Sequence, residues 1–293
     1  MQKETRLQFP LFTPNAEWTA PFELKDLTGA KELAIDLETR DPHLKEYGPG
    51  WPRKDGDVVG IAVATEGWEA YYPIAHLGGG NLDKNVVLRW LKKQLSTGCP
   101  KIMHNAPYDL GWLKALDIPV NGPIIDTMIM AALLDENRYS YSLNALSYDY
   151  LGEAKSEKLL TQAAVDFGVD PKAELWKLPS QFVGPYAEMD ARLAFDLYKF
   201  FKLEIAKQDL NTVWDLETRL TPCLIDMTFR GIRVDMDRCE RTKQALIKRE
   251  KAVLKKIEEQ AGGEVEIWAA ASLAKAFDKL DIKYPRTATG QPS

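Results

Sequence analysis

Three cysteines and three histidines in 293 residues are too few, and too unevenly spaced, for a disulfide framework or a zinc site. Cys99, Cys223 and Cys239 form no paired spacing with one another or with the histidines, so a reducing, cytoplasmic setting is expected. Long apolar runs are missing too. The longest, Thr127 to Leu134, is far short of the ~20 residues that cross a bilayer, and Met1 to Arg6 carries charge of both signs with no leader-type apolar core behind it. Neither a membrane partner nor secretion is expected. Low-complexity tracts are also absent, and 45% hydrophobic with 28% charged residues is an ordinary globular balance.

Charge is present but unevenly placed. The net −5 divides into −8 over residues 1–190 and +3 over residues 191–293. Arg241 to Lys256 holds seven basic residues, among them Arg241, Lys248 and Lys255, against the single acid Glu250. Such a run is either a solvated helix face or a surface for a nucleic-acid backbone.

Glu32 to Glu38, Val58 to Thr65 and Glu69 to Ile74 read as three strands in a meander, with a Gly- and Pro-rich loop from Arg40 to Asp57 between the first two. Leu82 to Leu95 has helical apolar spacing, Lys101 to His104 reads as a short strand feeding a helix from Pro107, and Ile124 to Thr127 as a last strand followed by a helix. A meander followed by strand–helix alternation indicates an α/β layered domain. From Tyr139 onward the pattern is helical: Ser142 to Leu151, Glu157 to Phe167, Ser180 to Lys207, Val213 to Arg230, a long helix from Met236 to about Gln260, and Ser272 to Leu280. A boundary near residue 210 divides the chain into 1–209 and a helical extension, 210–293.

Three short strings carry chemistry. In Asp36-Leu37-Glu38, alternate strand side chains share a face, so both carboxylates project together from the end of an apolar strand, a costly position unless they are exposed or metal-bound. In Asn105-Ala106-Pro107-Tyr108-Asp109, Asn is a good N-cap and Pro fits the first turn, which brings Asp109 about one turn inside on the face of Asn105. That pattern suits a plain capped helix as well as a site in which Asn105 offers an amide to phosphate or sugar. In Tyr186-Ala187-Glu188-Met189-Asp190, Tyr186 and Asp190 stack four apart on one helix face. Gathered carboxylates repel one another unless divalent cations neutralise them. Thr39, Arg40 and His104 adjoin these strings, and Trp51, Arg53 and Lys54 lie in the loop, where they are either strand-binding groups or ordinary decoration.

In order and spacing, these strings resemble the three exonuclease motifs of the DEDD superfamily of 3′–5′ exonucleases, with Tyr186 marking the DEDDy branch. Asp126-Thr127-Met128, Leu133-Leu134-Asp135 and Tyr141 to Leu146 with Tyr150-Leu151-Gly152 resemble the proofreading domain of DNA polymerase I-type, family A enzymes, over about residues 30–207. Leu220 to Asp235, the long charged helix and Arg286 to Ser293 look like the entry to that family's polymerase domain and the start of its thumb. The palm and fingers motifs have no counterpart in these residues, so no polymerase activity is expected from them alone.

The resemblance implies a ribonuclease H-like fold with a central mixed sheet flanked by helices. It also implies two Mg²⁺ or Mn²⁺ ions held by Asp36, Glu38, Asp109 and Asp190, with Tyr186 beside the attacking water. The implied reaction is removal of nucleoside 5′-monophosphates from single-stranded or frayed DNA 3′ ends, alongside a separate polymerase domain or subunit. Asn105, Thr39 and His104 are the expected substrate contacts, and Arg241, Lys248 and Lys255 the expected backbone contacts. A ribonuclease D-like exoribonuclease shares the same carboxylates and tyrosine, and a catalytically silent DNA-binding module is the non-enzymatic alternative.

Overall fold

The computed structural model describes residues 15–292; Met1 to Arg6, on which the expectation of no leader rests, lie outside them. Five strands form one mixed sheet: β1 (Leu33–Arg40), β2 (Asp57–Thr65), β3 (Trp68–Pro73), β4 (Lys101–Met103) and β5 (Ile124–Asp126), in the order β3-β2-β1-β4-β5. β1 lies at the centre, antiparallel to β2 and parallel to β4. The helices of the same unit are α1 (Leu44–Tyr47), α2 (Lys84–Leu95), α3 (Ala106–Ala115), α4 (Thr127–Leu134), α5 (Leu143–Leu151), α6 (Lys158–Phe167), α7 (Ser180–Lys207) and α8 (Asn211–Arg230). Among the described residues no helix is long and apolar enough to cross a membrane.

The alternation of β1 sorts its side chains between two cores. Leu33, Ile35 and Leu37 point to one face, where they meet α2, α3 and Trp51. Ala34 points to the other with Ala62 and Ala64 of β2, beneath α7. These alanines are small, so the long helix lies close to the sheet, packing across β1, β2, β3 and β4. Asp36 and Glu38 follow Ala34 at the strand period and therefore emerge on the α7 side.

Two devices fix the height of α7. Tyr71 N–H on edge strand β3 donates to Glu188 Oε1 at 3.0 Å, which covers an otherwise open ladder position. Gly184 lets the Trp18 ring lie flat on the helix; a Cβ there would stand 2.2 Å from Trp18 Cε2.

The chain divides into two compact units at Arg230/Gly231, not near residue 210. Asp209 does interrupt the helices, with φ at +56°, but α8 returns to the first unit's core: Ile225 is buried there, and Phe229 packs its ring 4.9 Å from that of Trp51. The second unit contains α9 (Met236–Ala261) and α10 (Ala270–Lys279), with a small core of Ala261, Val265 and Ala276.

Candidate active site

β1 delivers two carboxylates and α7 a third. Ligand oxygens of Asp36, Glu38 and Asp190 all lie within 4.8 Å of one another. A register shift between Glu38 and Thr39, where β2 carries the extra residue Val59, interrupts the β1–β2 ladder directly after the pair, and pairing resumes at Thr39 and Val58.

Asp109 arrives differently. β4 pairs with β1 at Leu33 and Ala34, so the backbone of Leu37 runs past the end of β4 with its N–H unpaired on that side. Buried Asp109 of α3 closes the gap, its Oδ1 accepting from Leu37 N–H at 2.9 Å. One oxygen is thereby committed to the backbone between the two β1 carboxylates. The cluster is three carboxylates with a fourth beside it.

Crowding and burial raise the proton affinity of this set. Asp36 is pushed up to about 7, by burial first and then by the charge of Asp190. Burial also raises Glu38 and Asp109, and Asp36 adds to both. Asp190 is raised by burial against the opposing pull of Lys155. Such a set suits a hard divalent cation: every donor is a carboxylate oxygen, with no thiolate or imidazole among them.

Tyr186, one turn before Asp190, interacts with that carboxylate, and burial raises its phenol far above the ordinary range. The hydroxyl therefore stays protonated at neutral pH.

Sequence reasoning missed Lys155. Its ammonium lies 2.5 Å from Asp190 Oδ1, with the side chain only 7% exposed, and 4.8 Å from the centre of the Tyr186 ring. It comes from an aperiodic polar stretch between α5 and α6, which offers no sequence signal.

Asp126, in the Asp126-Thr127-Met128 string, has a structural task that its sequence context does not announce. Asn105 sits at the start of α3 in the left-handed region (φ 64°, ψ 51°), and its side chain makes no capping bond. Asp126 does that work instead: Oδ1 accepts from Asn105 N–H at 3.0 Å and Oδ2 from Ala106 N–H at 2.9 Å. Asn105 is exposed, and its amide is free of the cap.

The remaining sequence candidates are placed variously. Thr39 Oγ1 pairs with Tyr108 Oη at 2.7 Å, and Tyr108 donates to Asp41. His104 Nδ1 pairs with Thr127 Oγ1 at 2.9 Å, and burial lowers the ring to about 4, so it offers no positive charge at neutral pH. Trp51 is not a stacking platform: it is 4% exposed and lies against Gly111, where a Cβ would stand 2.2 Å from its ring. Arg53 binds the carbonyls of Tyr47 and Gly48, Lys54 closes a short 3₁₀ turn in the left-handed region, and Arg40 stacks 5.0 Å from the Trp176 ring centre. Arg241, Lys248 and Lys255 are exposed on α9 in the second unit.

A mixed sheet whose central strand and covering helix together carry this carboxylate set defines the ribonuclease H-like nucleases. Residues 22–206 match the model of the 3′–5′ exonuclease family of the DNA polymerase A group, and the chain belongs to that family. It is an exonuclease domain. It is 37% identical over 98% of its length to a DNA-directed DNA polymerase of Pseudomonas phage M6, covering 45% of that protein. Against DNA polymerase DpoZ of Salmonella phage PMBT28 it is 32% identical, covering 91% of this chain and 43% of the relative. The chain thus spans less than half the length of these curated relatives.

Among solved structures, the POL domain of Pol1 from M. smegmatis, in complex with DNA primer-template and dNTP, aligns with a TM-score of 0.64 at 17% identity. The alignment covers 91% of this chain and 40% of that one. Brucella melitensis NrnC with bound Mg²⁺ aligns at 0.52 and 17% identity, over 71% of this chain and 90% of that one. Both likenesses are of fold.

Proposed function

We propose that this chain is a divalent-metal-dependent 3′–5′ exodeoxyribonuclease of the proofreading type, which releases nucleoside 5′-monophosphates from unpaired DNA 3′ ends. The observation that carries this reading is the convergence of Asp36, Glu38 and Asp190 within 4.8 Å, on elements of a 3′–5′ exonuclease domain.

In this reading Asp36, Glu38 and Asp190 would hold divalent ions, Mg²⁺ or Mn²⁺, with Asp109 supporting them through the oxygen that Leu37 does not use. Bound there, such ions would activate a water and neutralise charge on the phosphate and the departing 3′-oxygen. The protein's own groups arrange the rest. Tyr186 orients the attacking water through its protonated phenol, and the Leu37 N–H bond holds Asp109 at a fixed distance from β1. Water adds to phosphorus, the bond to the 3′-oxygen breaks, and that oxygen takes up a proton. Asn105, whose amide the helix cap does not use, contacts phosphate or sugar, with Thr39 and His104 beside it as neutral hydrogen-bonding groups.

Selection of unpaired ends needs no base reading, since a frayed nucleotide enters such a site at lower cost than a stacked one. The first unit, through Arg230, carries the exonuclease, and the residues beyond it resemble the beginning of a family A polymerase thumb, with Arg241, Lys248 and Lys255 as backbone contacts and a polymerase domain as partner. Three free cysteines suit a reducing, cytoplasmic setting.

Incubation with 5′-labelled single-stranded DNA, matched and mismatched duplex, and RNA, with Mg²⁺ or with chelator, tests the reading. Metal-dependent ladders on single-stranded and mismatched DNA are expected. RNA-selective trimming would replace it with an exoribonuclease, and absence of trimming in every lane would leave a binding module.

A further inference from the structure

Lys155 is placed as no ordinary surface lysine would be. Its Nζ lies 2.5 Å from Asp190 Oδ1, both side chains are less than a tenth exposed, and Asp190 is one of the three carboxylates whose oxygens converge. Asp36 and Glu38 also feel its charge. Lys155 offsets the effect of burial on Asp190 through its charge and a side-chain hydrogen bond, so the carboxylate already has one cation of its own. The same ammonium also lies over the Tyr186 ring, 4.8 Å from Nζ to centroid, a cation–π contact.

We propose that Lys155 is the built-in counter-cation of the carboxylate cluster: it neutralises Asp190 in the metal-free protein, and a divalent ion must displace it from that oxygen to bind. The inference rests on the metal-dependent reading of the cluster. Lys155 thereby does two opposed things. It keeps the cluster foldable without metal, because crowded, recessed carboxylates with no cation would repel one another. It also raises the metal concentration the site requires, because a positive charge a few ångströms from the ion opposes its arrival in a poorly screened place. The site is tuned by the lysine, not by its ligands alone.

The experiment is calorimetric titration of Mn²⁺, with no nucleic acid present, into the 293-residue protein and its Lys155→Met and Lys155→Arg variants, together with thermal unfolding of each with and without Mn²⁺. Lys155→Met is expected to bind Mn²⁺ about tenfold more tightly. Its metal-free melting temperature should fall, and its Mn²⁺-induced rise should exceed that of the native protein. Lys155→Arg keeps the charge and is expected to stay within about threefold of native affinity, and it carries the test if the methionine variant fails to fold without metal. In that event a Lys155→Arg protein that binds Mn²⁺ about tenfold more tightly than native would count against the proposal. Equal Mn²⁺ affinity in native protein and Lys155→Met would overturn the counter-cation while leaving the metal site standing. No Mn²⁺ binding by any of the three would remove the metal reading, and this inference with it.

Discussion

Asp36 carries the most specific expectation of any side chain. Its raised value, about 7, means that folding takes up a proton over the interval between the ordinary aspartate range and neutrality. A group with a raised folded-state value stabilises the fold fully at low pH and loses that contribution as pH rises through its folded value. Metal-free protein is therefore expected to melt lower at pH 8 than at pH 5.5, and added Mg²⁺ should restore more stability at the higher pH, because metal takes the ionised form. Differential scanning calorimetry at the two pH values checks both signs. Asp36→Asn removes the ionisation: trimming should fall by about 10³-fold or more, while the metal-free pH dependence flattens. Tyr186→Phe deletes only a hydroxyl that stays protonated, so kcat should drop on the order of 10- to 100-fold with DNA affinity nearly unchanged. A loss in affinity instead would make Tyr186 a binding residue.

These residues were legible because each obeys a short-range rule. Asp36 and Glu38 share a strand face at period two, and Tyr186 and Asp190 share a helix face four apart. Lys155 obeys none: it lies in an aperiodic stretch, and only the meeting of α7 with that stretch gives it a partner. Trp51 was misread for a related reason. A tryptophan in a Gly- and Pro-rich loop looks exposed, and nothing local announces that Gly111 leaves a flat place for its ring on a distant helix.

At the scale of elements, the start of α3 shows how a neighbouring strand can replace a local signal. The string beginning at Asn105 reads as a self-capped helix, yet Asp126 at the end of β5 satisfies the first N–H groups. The left-handed Asn105 turns the chain so that Asp109 reaches Leu37. Asp126→Ala leaves the N–H groups of Asn105, Ala106 and Met128 without their carboxylate and is expected to destabilise the protein by about 1–3 kcal/mol. It should also lower kcat through Asp109, while Asp126→Asn, which keeps one acceptor, loses less of both. Chemical denaturation and single-turnover trimming separate the two effects. The five strands were legible in place and order along the chain, but their spatial order was not, since parallel pairing of β1 with β4 is a contact between distant segments.

For the whole molecule, the division at Gly231 sets where the chain can be cut. The break at Asp209 is a real local signal, which is why the sequence suggested a boundary near 210; what it could not show is that α8 comes back to bury Ile225 and seat Phe229 on Trp51. A protein ending at Arg230 is expected to keep the stability and the trimming of the first unit. One ending at 209 should lose about 1.5–3 kcal/mol from Ile225 alone. Urea unfolding of the two truncations decides the matter, and equal stability would mean that α8 adds nothing to the nuclease body.

The bond from Leu37 N–H to Asp109 has a spectroscopic consequence. That amide proton lies in sequence between two of the cluster's carboxylates and points at a third. In a ¹⁵N-labelled sample its resonance is a native reporter of cation arrival: it should shift more than those of its strand neighbours on Mg²⁺ addition, and its rate of hydrogen exchange should measure how often α3 lets go of β1.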